Sequence, residues 1–288
     1  MCWSRRLPAA LLLLATLARA QPGTAVPGDD LDWMLVLSAQ TDADSYRGVL
    51  GGVYLGLADA TWLSLTLGSS EAPETERDIR ADLAIIGIEH DFGPIGLGLV
   101  AESWGDSDKL ETRDWRGELF FGDDRYRFTL AYERKDIDIF FAGSPLVSDL
   151  RRANLEASGL GISGRLRLSP DWRIYGSWME YDFPERVRLV PRADRLNLLS
   201  ASTVTLAYSL EDYYASFGVE RAFASTLLNI DLGRDRSAID GARLTSLSGT
   251  VLWPVARRVD LEFTLGRSRT EGYGASVYGG LSILFYGG

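Results

Sequence analysis

From Trp33 to the C-terminus the chain alternates. In "RYRFTLAYE", Tyr126, Phe128, Leu130 and Tyr132 fall on one side, while Arg127, Thr129 and Glu133 fall on the other. Successive side chains on a strand point to opposite faces, so this period specifies a strand with one apolar and one polar face. The pattern recurs in "YRGVLGGVYLGLADATWLSLTLG", where Val49, Gly51, Val53, Leu55 and Leu57 share a face, as do Leu63, Leu65 and Leu67. It returns in "GLGISGRLRL", "STVTLAYS" and "RVDLEFTLG". No segment has a convincing helical period.

The connections alternate too. The short ones are "LADAT", "DFGPI", "FGDDR", "LSPDW", "SLEDY" and "WPVAR". Between them fall longer, more charged ones: "SSEAPETERD", "GDSDKLETRD", "ERKDIDIFFAGSPLVSDLRRAN" and "DFPERVRLVPRADRLNLLSA". Transmembrane barrels have short periplasmic turns and long extracellular loops, whereas a soluble sandwich has no reason to keep its long loops at one end. Aromatics on the apolar face repeat at one spacing: Trp115 and Phe121, Tyr126 and Tyr132, and Trp172 and Trp178 are each six residues apart. Six strand residues cover roughly 20 Å, or about 15 Å along the membrane normal at a ~40° tilt, so the pairs suit two aromatic girdles.

These features predict an all-β, antiparallel transmembrane β-barrel of about 14 strands, with 12 or 16 left open by residues 223–241. There "LNIDLGRDRS" resembles "LEFTLGRSRT"; if both pair, "ERVRLV" has to pair as well, although Pro184 and Pro191 flank it. The sheet must close, because an open strand edge cannot be left in hydrocarbon. The apolar face then meets lipid and the polar face lines the interior.

Residues 1–20 read as a signal peptide, with Arg5 and Arg6, an apolar core from Leu7 to Leu17 and the small-x-small site Ala18-Arg19-Ala20. Residues 21–31 form a short polar lead and 32–288 one barrel domain. Cys2 lies in the leader, so no disulfide is expected afterwards. Removing Arg5, Arg6 and Arg19 leaves 27 basic against 40 acidic residues, a formal charge of −13 that argues against nucleic acid as a partner.

The last strand, "SVYGGLSILFYGG", resembles the C-terminal assembly signal of outer-membrane barrels through Tyr278, Gly280, Ile283 and Phe285, although Phe285 is followed by Tyr286-Gly287-Gly288. The mature length resembles Gram-negative outer-membrane β-barrel proteins as a class, and is most similar to small monomeric porins without a plug. That resemblance implies residence in the cell outer membrane as a monomer, surrounded by membrane lipid and lipopolysaccharide. It also implies the barrel-assembly machinery as a partner during biogenesis.

Little points to catalysis. The sole histidine, His90, precedes a short turn and belongs at the periplasmic rim, and Asp91 beside it is not an oriented partner. One His and no mature Cys give no His/Cys metal site, and no cofactor or enzyme activity is expected. By parity, Arg116, Arg127, Arg165, Arg167 and Arg173 form a basic lumen wall from four successive strands. Glu220, Asp260 and Glu262 form an acidic wall a third of the barrel or more away. Such a crossed field orients dipolar solutes, and an Arg cluster favours anions; alternatively, interior charges pair across neighbouring strands and fill a narrow barrel.

The primary expectation is a passive porin-like channel for small hydrophilic solutes, anionic ones among them. The alternative is a structural or accessory barrel with a blocked lumen: a receptor, or a secretion or polysaccharide-export component. It would act through loops 134–153 and 183–201, where Ile137, Ile139, Phe140 and Phe141 form an apolar patch. A lipid-modifying enzyme is third and a soluble periplasmic β-protein fourth.

Overall fold

A computed structural model describes residues 33–43, 46–58, 60–72, 79–106, 109–140, 152–183, 210–238, 241–272 and 274–287. The expected leader and polar lead, the "ERVRLV" and "STVTLAYS" segments, and Phe141 lie outside these residues.

The described chain is a closed antiparallel barrel of fourteen strands, each paired with its sequence neighbours. They are β1 (Trp33–Asp42), β2 (Arg47–Ala58), β3 (Thr61–Ala72), β4 (Ile79–Asp91), β5 (Ile95–Asp106), β6 (Leu110–Gly122) and β7 (Tyr126–Phe140). The second half contains β8 (Arg152–Ser169), β9 (Trp172–Asp182), β10 (Glu211–Phe223), β11 (Thr226–Ser237), β12 (Arg243–Ala256), β13 (Val259–Thr270) and β14 (Gly274–Gly287). β14 closes the barrel on β1, with Leu35 opposite Phe285 and Asp42 opposite Tyr278. Thr226–Ser237, the segment that left the strand number open, is a full strand paired on both edges.

Several connections differ from the sequence expectation: residues 69–72 of "SSEAPETERD" end β3, residues 253–256 of "WPVAR" end β12, and three more stand out. "SLEDY" is not a turn: Glu211–Tyr213 begins β10, and the short turn follows at Ala224-Ser225. Within "GDSDKLETRD" only residues 107–109 connect, because Leu110–Asp114 is already β6. Glu133–Phe140 likewise continues β7 rather than opening a loop. The reason is common to the last two: these strands carry charges on their outer face beyond the apolar band, paired as Arg113 with Glu111 (3.1 Å) and Arg134 with Glu156 (3.0 Å). Charge at strand ends therefore looked like loop.

The wall is apolar outside. Leu67, Leu160 and Leu265 are 55%, 65% and 67% exposed, a surface that belongs in lipid rather than water. Its inner face is held by aromatic rings laid over glycines of the adjacent strand. Directly opposed pairs are Phe120 over Gly96, Tyr181 over Gly159, Tyr175 over Gly218 and Tyr278 over Gly266. A Cβ at Gly266 would run into the Tyr278 ring. Gly266→Val is therefore expected to lift that ring into the lumen and destabilise the barrel by roughly 1–3 kcal/mol, read as a lower urea midpoint. Tyr278→Ala in the same background should remove most of the additional cost.

Candidate functional site in the barrel lumen

Three layers of inward side chains follow one another along the axis. At the periplasmic end stands a basic cluster. Arg127 is opposite Arg165 in the β7–β8 pairing, and Arg167 is opposite Arg173 in the β8–β9 pairing. Like charges directly opposite on a sheet are destabilising, so this placement needs compensation. Two carboxylates supply part of it. Glu89 Oε2 accepts from Arg127 Nη2 at 3.2 Å, reaching past β5 and β6, and Glu220 Oε1 accepts from Arg173 Nη1 at 2.6 Å. Arg127 also stacks on the Phe120 ring, 3.8 Å from its centroid. Glu89 and Glu220 thus each engage one of the four guanidinium groups.

The separate acidic wall needs correction at Glu220. It sits directly opposite Arg173 on the neighbouring strand, so it belongs to the basic cluster. The misplacement follows from "SLEDY": treating it as a turn inserted a strand between Arg173 and Glu220. Asp260 and Glu262 lie on β13, four strands from β9, and are locally engaged. Tyr286 Oη donates to Asp260 at 2.8 Å, and Ser282 Oγ donates to Glu262 at 3.2 Å.

Arg116 also departs from the expected wall. It lies in a second, mid-barrel layer, 2.7 Å from Glu118 and 3.7 Å from Glu133. Glu133 additionally holds Lys135 at 2.7 Å and accepts from Tyr181 Oη at 3.2 Å, while Lys135 reaches Asp114 at 2.9 Å. These side chains are almost wholly buried, so the network fills lumen instead of facing solute. Parity already places Glu118 and Glu133 on the polar face; carried along "DWRGE" and "YERKD" it could also have found Asp114 and Lys135, and along "IIGIEHD" Glu89. Breaking a buried pair leaves an uncompensated charge. Lys135→Met is therefore expected to cost about 3–5 kcal/mol in chemical unfolding, and Asp114→Asn in that background should recover part of it.

The third layer, at the opposite end, is built around an apolar cluster, beside which Glu211 and Asp235 are also buried. Leu110, Ile137 and Ile139 face inward and pack with Tyr46, Ala81, Leu83, Trp104 and Leu210; Phe183 and Ala238 join from beside β9 and β11. Ile137 and Ile139 are thus interior packing rather than part of an exposed patch. Gln40 Nε2 donates to Tyr46 Oη at 3.1 Å, and burial pushes the Tyr46 phenol above its ordinary range, which keeps it neutral.

On the outer wall, Trp115, Tyr132 and Trp178 point outward at mid-height. Tyr126 and Trp172 start β7 and β9, while Phe121 ends β6 with its ring 5.1 Å from Phe128. Trp33, Phe223 and Trp253 are further outward aromatics near the turn end. In the closing strand Tyr278 points inward, and Ile283 and Phe285 lie opposite Leu37 and Leu35 of β1. His90 lies at the turn end of β4, its Nδ1 2.7 Å from Thr61 Oγ1 and its ring edge-on to Phe92 at 4.3 Å. Among the described residues no His/Cys/Asp/Glu group is arranged to hold a metal.

Closed barrel, apolar exterior and charged interior together define an outer-membrane-type β-barrel. No family model and no curated protein matches the sequence. Among solved structures, the chain is similar to a CymD monoaromatic hydrocarbon channel at 12% identity and a TM-score of 0.55, covering 99% of this chain and 94% of that one. It is also similar to a bacterial polysaccharide outer membrane secretin at 12% identity and 0.50, covering 90% and 99%. A NanC porin structure aligns at 7% identity and 0.47, over 87% and 98%. At these identities the likeness is one of fold.

Proposed function

We propose that this chain is a passive channel of a Gram-negative outer membrane, without enzyme activity, for small hydrophilic solutes with a preference for anions. The observation that carries the reading is the periplasmic-end cluster of Arg127, Arg165, Arg167 and Arg173, in which Arg127 opposes Arg165 and Arg167 opposes Arg173 across two successive strand pairs. A fold gains nothing from two such oppositions on its inner wall, whereas an anion entering a water-filled lumen does. The protein would sit as a monomer among membrane lipid and lipopolysaccharide, inserted by the barrel-assembly machinery that reads Tyr278, Gly280, Ile283 and Phe285.

The test is single-channel current from the refolded protein in a planar bilayer under a salt gradient. Steady conductance with an anion-selective reversal potential supports the reading. The apolar layer around Trp104 and Ile137 favours a second one, an accessory barrel whose lumen is blocked and whose loops bind a partner. Absence of current from a barrel with heat-modifiable gel migration would select it.

A further inference from the structure

Beyond the lumen, the outer wall carries a second concentration of arginine with no part in conduction. Arg234 of β11, Arg243 of β12, and Arg267 and Arg269 of β13 are all exposed and share the outward face of Leu232, Leu247 and Leu265. The register gathers them. Thr245 lies opposite Arg234 on one side and Arg269 on the other, Leu247 lies opposite Arg267, and Arg243 lies opposite Arg236. Three adjacent strands span only about 10 Å. The group therefore sits within two or three residue rows at the extracellular edge of the apolar band.

Elsewhere on the outer wall, three exposed arginines are neutralised. Arg113 is held by Glu111, Arg134 by Glu156 and Arg80 by Asp82. In the β11–β13 sector Arg236 alone has a carboxylate, Asp212, and it also stacks on Tyr213 at 4.8 Å. Among the described residues Arg234, Arg243, Arg267 and Arg269 form no ion pair. Guanidinium groups clustered just outside hydrocarbon call for an anion at the depth of lipid headgroup phosphates, and arginine binds phosphate oxygens in bidentate fashion. We infer that this sector is a binding site for the phosphate groups of an outer-leaflet glycolipid, with its acyl chains lying against Leu232, Leu247 and Leu265. The inference rests on the barrel being membrane-embedded and does not depend on whether the lumen conducts.

The test uses native mass spectrometry of the full barrel in neutral detergent, titrated with diphosphoryl lipid A, the same lipid after enzymatic dephosphorylation, or inorganic phosphate. Retention of the diphosphoryl lipid is expected, with the other two bound far more weakly. R234Q/R243Q/R267Q/R269Q should weaken retention by at least about ten-fold, while R113Q/R134Q leaves it unchanged. R267Q/R269Q serves if the larger variant loses heat-modifiable migration. Equal binding of the two lipids, equal loss in both variants, or inorganic phosphate binding as tightly as the lipid would overturn the site. Intact heat-modifiable migration throughout would still leave the embedded-barrel reading standing.

Discussion

Replacing Arg165 and Arg167 together by glutamine should shift the reversal potential toward cations while leaving the barrel folded. Both side chains project into the lumen near the periplasmic end of β8, flanked by Arg127 and Arg173. A unit charge ~8 Å from an ion in a water-filled pore is worth about 0.5 kcal/mol before screening, so two removed charges change anion partitioning roughly five-fold at low salt. The effect should shrink as ionic strength rises. R113Q on the outer wall, where Arg113 rests on Glu111, is the matched control and should leave selectivity unaltered. Because the double variant also relieves like-charge opposition, its stability should hold or rise slightly. Unchanged selectivity would remove the cluster from any role in permeation.

Trp104→Ala is expected to cost as much stability as Lys135→Met. Trp104 lies within the apolar layer with Tyr46, Leu83, Leu110 and Ile137, and Leu110 and Ile137 are 0% exposed. Truncating a large buried aromatic costs about 3–5 kcal/mol in transfer and cavity terms. The conduction readout carries more meaning. If this layer is the constriction, the variant should pass more current at the same voltage. If stability falls and current does not change, the constriction lies at the mid-barrel network of Arg116, Glu133 and Lys135 instead.

The barrel was legible because across the apolar band the strands follow one rule, outward apolar and inward polar, and that rule fixes both fold and facing. Register between distant strands was not legible, since it depends on where each turn falls. Reading "SLEDY" as a turn moved Glu220 from beside Arg173 to a far wall, although its inward facing was evident from parity. Lumen depth was equally hidden. Arg116 and Arg127 look alike in sequence, yet one is enclosed between Glu118 and Glu133 and the other stands in the cluster at the barrel's end. Ile137 and Ile139 looked like a loop patch because their neighbours Lys135, Asp136 and Asp138 are charged; the period of two, continued past Glu133, already placed them inside.

The axial order of the three layers has an electrical consequence. Fixed positive charge gathers at one mouth, whereas the opposite mouth combines the apolar cluster with the buried carboxylates of Glu211 and Asp235. If the lumen conducts, ions driven from the basic mouth enter a stretch enriched in anions, while those driven the other way first meet the apolar packing and its carboxylates. Such a pore rectifies: equal voltages of opposite sign carry unequal currents. The sense of that inequality would report which way each molecule had inserted, giving an orientation marker built into the protein itself.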